Sequence, residues 1–313
     1  MKTLLKFRNI VELIEAFPTD EKCREYLVNL RWGEKSVCPH CNHSDKIYNL
    51  KTSNKYKCSS CKKQFTVTTG TIFHQTHVSL VKWFVAFYLF SSHKKGLSSI
   101  QLSKDIGVTQ KTAWFMLHRI RYAMKDKSFK LFGQVEVDET YVGGKNKNRH
   151  FNKKVRNAQG RSTKDKSAIF GFVERGGRVR TIHIKRLSGK GMRALLRHFV
   201  EDTSVIYSDE FRAYRGLKDS FEDHFVVNHS ANEYVSDHKH TNTIEGFWSQ
   251  LKRGIFGVYH NTSKHLLYRY CQEFEFRWNT RQLSETERFS KAISQGLDGR
   301  MTYAMAIDRS RRW

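Results

Sequence analysis

Three carboxylates and four cysteines are the residues of this 313-residue chain whose types and spacing suit chemistry. Asp138 lies in VEVDETYVGG, Asp209 closes SVIYSDE, and Glu245 opens NTIEGFWSQLKRG after 35 intervening residues. Carboxylates brought together from separate elements offer the oxygen donors that Mg²⁺ or Mn²⁺ takes, and such ions promote phosphoryl transfer. Cys38-Pro-His-Cys41 and Cys58-Ser-Ser-Cys61 repeat C-x2-C across 16 residues. Each pair presents two thiolates from a tight knuckle, and two knuckles complete a tetrahedral shell for Zn²⁺. Four thiolates leave no open position, so that site is structural. His40 and His43 are alternative ligands or turn residues, and Cys23 and Cys271 fall outside the pattern as small apolar residues.

The carboxylates stand in a strongly basic chain. Lys and Arg number 56 against 30 Asp and Glu, a formal net charge of +26. Such a field attracts polyanions, the phosphate backbone foremost. With 39% hydrophobic and 13% aromatic residues the chain has material for packed cores, which argues against a disordered basic binder. The longest apolar candidate, LVKWFVAFYLF at 80–90, is too short for a membrane span and contains Lys82. Lys6, Arg8 and Glu12 interrupt any signal-peptide core. A cytoplasmic, nucleoid-associated protein without a membrane partner is the expectation, and in that compartment paired cysteines point to metal.

The elements that position these groups follow from periodicity. Tyr48 and Lys55-Tyr56-Lys57 sit in alternating runs that suit the short strands of a zinc ribbon. From Ser79 to Met124 the pattern is helical: SLVKWFVAFYLFSS, then helix, turn and helix over LSSIQLSKDIGVTQKTAWFMLHRIRYAM. Ile100, Ile106 and Val108 form the expected small core, Gly107 makes the turn, and Thr109 caps the second helix. Ala113, Met116, Leu117 and Ile120 supply that helix's buried stripe. Its outward positions Gln110, Lys111 and Trp114 are where a recognition helix meets base edges.

Further on, Gln134–Val142 alternates as a strand, and SAIFGFVERGGRVRTIHIKRL reads as a hairpin turning at Gly176-Gly177. Gly191–Val200 reads as a helix and Ser204–Asp209 as a short buried strand of parallel type. Three antiparallel strands, a helix and a parallel strand describe a ribonuclease-H-like sheet whose first and fourth strands are neighbours. Asp138 and Asp209 then lie side by side.

Glu245 also has a local explanation, a capping box with Asn242 as N-cap. On the same helix Ile244, Phe247, Trp248, Leu251 and Ile255 form an apolar stripe. Glu245, Ser249 and Lys252 line up beside it, with Lys252 about 10 Å from Glu245 along the axis. Glu136, Glu139, Glu210 and Asp237 compete as metal ligands; Glu136 shares the face of Asp138, whereas Glu139 points the other way. From Lys145 to Lys166 nine Lys or Arg meet one acid, Asp165, with almost no apolar residue. That composition predicts a flexible loop that orders on DNA. Lys145, Lys147, Lys153 and Lys154 there, with Lys252 and Arg253 on the helix, are the candidate backbone contacts.

These motifs, in this order, resemble the bacterial insertion-sequence transposases that join an N-terminal zinc ribbon to a DDE-type transposase domain. The resemblance runs from about Phe17 to Arg281. It rests on Leu30-Arg31-Trp32, CPHC, YKCSSCKKQFTVTTGTIF and Trp83, then VEVDETYVGGK, IYSDEFRAY, VNH, HTNTIEGFWSQLKRGIFGVYH and EFEFRWNTR. It implies a multidomain α+β chain: ribbon, helix-turn-helix and a ribonuclease-H-like mixed α/β catalytic domain. The corresponding division is 1–78 for N-terminal helices and ribbon, 79–130 for the helix-turn-helix, 131–285 for the catalytic domain and 286–313 for a basic tail. It further implies Asp138, Asp209 and Glu245 as ligands of two catalytic Mg²⁺ (or Mn²⁺) ions and a structural Zn²⁺ in the ribbon. The partners would be double-stranded DNA, as transposon ends and target, and a second copy of the chain in a dimer or larger assembly. The competing readings are a non-enzymatic DNA-binding regulator and a metal-dependent nuclease of the same fold without strand transfer.

Overall fold

The computed structural model describes residues 6–50, 53–125, 129–144, 146–156, 164, 166–184, 188–227 and 240–307. The chain divides into two compact units, 1–125 with 282–308, and 126–281 with 309–313. No helix among the described residues is long and apolar enough to cross a membrane.

The first unit opens with α1 (Ile10–Ala16) and α2 (Asp20–Trp32), capped by Asn9 and Thr19. The ribbon follows as an antiparallel sheet of β1 (Ile47–Leu50), β2 (Lys55–Cys58) and β3 (Gln64–Phe65). Its small core is Cys38, Cys58 and Phe65, against which Trp32 and Tyr56 pack. After the buried helix α3 (Leu80–Ser92) come α4 (Ser99–Ile106) and α5 (Gln110–Ala123), the expected helix-turn-helix. Gly107 takes φ +61°, a left-handed conformation that a side chain would oppose, and Thr109 accepts from the Thr112 amide at the start of α5. The stripe of Ala113, Met116, Leu117 and Ile120 is buried as expected.

Ile100 is a correction. It is 61% exposed, and Leu102 is buried in its place. At about 100° per residue, Leu102 and Ile106 share a face of α4, while Ile100 lies some 200° away from Leu102.

The second unit carries the larger sheet. β4 (Gln134–Val142), β5 (Ser167–Glu174) and β6 (Val179–Ile184) are antiparallel, and α6 (Gly189–Phe199) crosses over to β7 (Val205–Asp209). With β8 (Asp223–Val227) the order is β6-β5-β4-β7-β8, and β7 runs parallel to both β4 and β8. The first and fourth strands of the unit are neighbours, which is the ribonuclease-H-like arrangement expected from the sequence. On one face Val135, Val137, Phe170, Phe172 and Ile206 pack with Met192 and Leu196 of α6. The other face is covered by α7 (Asn242–Gly254), through its stripe of Ile244, Phe247, Trp248, Leu251 and Ile255, and by α8 (Leu267–Asn279).

The run EFEFRWNTR has a structural explanation at the rim of this sheet. β6 is an edge strand, whose unpaired backbone groups would otherwise be open to another chain. Asn279 accepts from Val179 N at 2.7 Å and returns a bond to Val179 O at 3.0 Å, and Glu275 accepts from Thr181 N at 2.7 Å. Arg281 donates to the carbonyls of Gly176 and Gly177 at the hairpin turn. Side chains of one helix thus replace a missing strand.

The expected basic tail at 286–313 is also corrected. Glu285–Gly296 forms α9, opened by a capping box between Ser284 and Glu287, and a short α10 (Tyr303–Ile307) follows. Phe289, Ala292, Ile293 and Gly296 recur at helical spacing and are buried in the first unit. Phe289 stands edge-on to Phe7 and Phe84, at 5.2 and 5.5 Å between ring centroids. Apolar periodicity outweighs net charge in this segment.

Candidate active site and metal centre

In the ribbon the two knuckles are near copies of each other. Cys38 N donates to His43 O and Asn42 N to Cys38 O; Cys58 N donates to Lys63 O and Lys62 N to Cys58 O. Asn42 and Lys62 both take left-handed φ, +58° and +60°, to close these turns. The four Sγ atoms lie within 4.8 Å of one another, with Cys38–Cys61 and Cys41–Cys58 each at 3.7 Å. A tetrahedron with Zn–S bonds of about 2.3 Å has an edge of about 3.8 Å, so the quartet fits zinc without rearrangement. Burial opposes ionisation of Cys58, but the amides of Cys61 and Ser60 and the neighbouring thiols bring it down to about 7. His43 faces Ser59 Oγ at 3.3 Å, and the set is complete without it.

The carboxylates are assembled differently. Pairing of β4 with β7 runs through Glu136↔Tyr207 and Val137↔Ser208, so the next step of the register sets Asp138 beside Asp209. Trp248 of α7 donates its indole N–H to Asp138 Oδ2 at 2.9 Å, which fixes the helix carrying Glu245 over that strand. Trp248 has room because Gly171 of β5 pairs with Asp138; a Cβ at Gly171 would meet the indole at 2.5 Å. Glu245 lies one turn before Trp248 and is exposed. Among the described residues, the cysteine quartet is the group already gathered around one point; the three carboxylates are not so closed.

Burial pushes Asp138 up to about 7, and the negative charges of Glu139 and Asp209 add to the shift. The Trp248 hydrogen bond acts against it. A carboxylate held out of its ordinary range by burial and by two others is a group that a divalent cation would return to the ionised state, so these residues fit Mg²⁺ or Mn²⁺.

The rivals separate by their partners. Glu139 points to the opposite face, as expected, and accepts from the Tyr214 hydroxyl at 2.8 Å in the α6 core. Burial and the nearby carboxylates raise Tyr214 well above its ordinary value, so it remains a donor. Glu136 shares the face of Asp138 but is enclosed by protein donors. Glu210 is exposed, and Asp237 lies outside the described residues. The capping box expected at Glu245 is corrected: Asn242 is already helical, Thr241 is the N-cap, and its hydroxyl reaches Glu245 Oε1 at 3.4 Å. Glu245 thus has a local partner, Thr241, in place of the one expected.

Of the expected DNA contacts, Gln110 is exposed and donates to Ser99 Oγ, while Lys111 is exposed with its ammonium 5.8 Å from the Tyr303 ring centroid. Trp114 is half-buried, its ring 4.2 Å from that of His118. Lys147, Lys153 and Lys154 are exposed, Lys252 is half-buried and Arg253 exposed. Lys145 lies outside the described residues. Asn146 bonds both the N–H and the carbonyl of Val155, so that part of the basic loop has a pinned base, and Phe151 at its crest is 92% exposed.

Sequence reasoning missed three contributors: Trp248 as donor to Asp138, Gly171 as the gap beneath it, and the partners of Glu136. The signal for Trp248 was its place three residues after Glu245. Nothing in sequence spacing pairs Gly171 with Asp138.

A ribonuclease-H-like sheet with acidic residues at adjacent strand ends, accompanied by a four-cysteine ribbon, defines a nucleic-acid-processing class of protein. Residues 130–279 match the ISXO2-like transposase domain, and residues 18–64 the transposase zinc-ribbon domain. A protein of the transposable element ISH50 of Halobacterium salinarum is 31% identical over 275 residues, 84% of this chain and 92% of its own length. A transposase-like protein of Haemophilus influenzae is 27% identical over 119 residues, 38% of this chain and 95% of its own. The chain belongs to this family of insertion-sequence transposases. The Mos1 strand transfer complex also overlaps, at 12% identity and a TM-score of 0.23 across 68% of this chain and 78% of that one, an overlap too loose to carry argument.

Proposed function

We propose that this transposase binds the terminal inverted repeats of its element and catalyses metal-dependent strand cleavage followed by strand transfer, with Asp138, Asp209 and Glu245 as the metal-holding carboxylates. The observation that carries this reading is the strand register that sets Asp138 beside Asp209 beneath the helix of Glu245. When bound, two Mg²⁺ or Mn²⁺ ions supply the charge that lowers the barrier to phosphodiester attack by water or a 3′-hydroxyl. Asp138, beside Asp209 and hydrogen-bonded to the helix of Glu245, would hold the ions together with those two residues. Trp248 holds one Asp138 oxygen, Oδ2, in place. Lys252 and Arg253, two turns along α7, and the exposed Lys147, Lys153 and Lys154 neutralise backbone phosphates. Phe151, exposed among these cations, offers a ring on which an unstacked base can rest. The ribbon, with Zn²⁺, and α4–α5 read the terminal repeats, Gln110 and Lys111 leading. Two ends must be held at once, so the working form is a dimer or larger.

Asp138→Asn and Glu245→Gln are each expected to lower Mg²⁺-dependent end cleavage by at least 10³-fold while leaving end binding intact. The measurement is incubation of labelled element ends with Mg²⁺, scored for cut and joined products. Unimpaired cleavage by both variants defeats the assignment; cleavage without joined product leaves a nuclease; binding without cleavage by the parent chain leaves a regulator.

A further inference from the structure

One polar cluster lies a single pleat beneath the carboxylates and touches all three elements that carry them. At its centre Glu136 is fully buried. Its Oε1 accepts from Arg175 Nε at 2.8 Å and from Thr243 Oγ1 at 2.9 Å, and His240 Nδ1 stands 3.2 Å away. Its Oε2 accepts from the backbone N–H of Ile244 at 3.0 Å. Ile244 is the third residue of α7, and its N–H is one of the donors that an N-cap side chain ordinarily satisfies. The N-cap Thr241 makes no such bond. A carboxylate 108 positions upstream therefore caps this helix. Arg175 extends the cluster: it donates to Gln134 Oε1 at 3.1 Å and to His240 O at 2.6 Å, and its guanidinium lies 3.9 Å from the Tyr207 ring centroid.

The spacing is regular. Glu136 precedes Asp138 by two residues on β4, Tyr207 precedes Asp209 by two on β7, and Glu136 and Tyr207 are register partners. Ile244 directly precedes Glu245. Three members of the cluster, Glu136, Tyr207 and Ile244, thus each stand one or two residues before a proposed metal-holding carboxylate. We infer that Glu136 and Arg175 are positioning residues that set the spacing of Asp138, Asp209 and Glu245, and that Glu136 is not itself a metal ligand. Its oxygens are occupied by protein donors, and a carboxylate anchored in this way is not free to turn toward an ion. This inference rests on the trio being the metal site.

The test measures Mn²⁺ affinity of the full chain by isothermal titration, together with amide hydrogen exchange across the first turn of α7. Glu136→Gln keeps one acceptor oxygen for Ile244 N–H, while its NH₂ can only donate to Thr243 Oγ1 and gives up the bond from Arg175; it is expected to weaken Mn²⁺ less than the truncation to Ala does. Glu136→Ala is expected to weaken Mn²⁺ about 10–100-fold. It should also speed exchange at Ile244 and recover cleavage when Mn²⁺ is raised to match. Arg175→Lys, which keeps the charge and loses the fork, gives a smaller loss of the same kind and serves if Glu136→Ala does not fold. A Glu136→Gln variant that folds yet is as inactive as Asp138→Asn at every Mn²⁺ concentration makes Glu136 a ligand and overturns the inference. Unchanged affinity and exchange in both Glu136→Ala and Arg175→Lys overturn it as well. If Asp138→Asn itself leaves Mn²⁺ binding intact, the assignment of the trio fails, and the exchange at Ile244 still reports on the clasp separately.

Discussion

The zinc ribbon and the carboxylate site solve the same problem, holding negatively charged ligands close together, over very different lengths of chain. The ribbon gathers four thiols within 24 residues, using two nearly identical turns whose backbone bonds point each cysteine inward. The carboxylates come from β4, β7 and α7, and their approach depends on strand register, an indole hydrogen bond and a buried cap. A site made of local turns is closed before the metal arrives. In one made of distant elements, burial and the neighbouring carboxylates hold Asp138 out of its ordinary range.

Chelation probes this contrast most severely. Stripping zinc, or the change Cys58→Ser, should remove on the order of 10 kcal/mol of metal-linked folding energy from the ribbon. Exchange protection over the ribbon strands β1, β2 and β3 is expected to vanish, while Mn²⁺ binding by the sheet unit persists. Equal loss of both would deny that the two sites are separately built.

The second prediction concerns pH. Asp138 is held above the unfolded carboxylate value, so the folded chain binds its proton more tightly than the unfolded chain. Metal-free stability is therefore fullest on the acid side of that window and declines as pH rises from about 4 to about 7. Mn²⁺ affinity should rise over the same interval as the proton is displaced. Thermal melts across this range should show the decline in the parent and its absence in Asp138→Asn; identical profiles would place Asp138 in a less strained setting.

Smaller effects test the packing beneath. Gly171→Ala drives a methyl into the Trp248 ring, and a loss of about 1–3 kcal/mol is expected in urea denaturation. Trp248→Phe keeps an aromatic ring but loses the N–H and part of the indole that packs over Gly171. Mn²⁺ binding at pH 7 should weaken a few-fold, because Asp138 loses a bond that favours its ionised form.

The difference between the regions also explains what the sequence revealed. C-x2-C spacing encodes its own geometry, so the ribbon was legible at the level of individual atoms. The ribonuclease-H-like order and the adjacency of Asp138 and Asp209 were legible because strand alternation and the glycine turn fix the hairpin, and the α6 crossover makes β7 parallel. The role of Glu136 was not, since sharing a face with Asp138 suggests a ligand equally well; only the arrival of Ile244 N–H from α7 decides otherwise. Ile100 and the C-terminal helix were misread for a common reason: a local feature, an apolar residue or a run of charge, was weighed without the face it occupies.

The cover that α8 gives to β6 reaches into how the protein is made. On the ribosome, β6 emerges about 100 residues before Asn279, the residue that completes its edge. Until then the strand's outer backbone groups are open to any passing chain. A product cut short before Glu275 keeps that edge permanently. Such fragments would carry most of the sheet with its edge open, and their fate is to stack on one another.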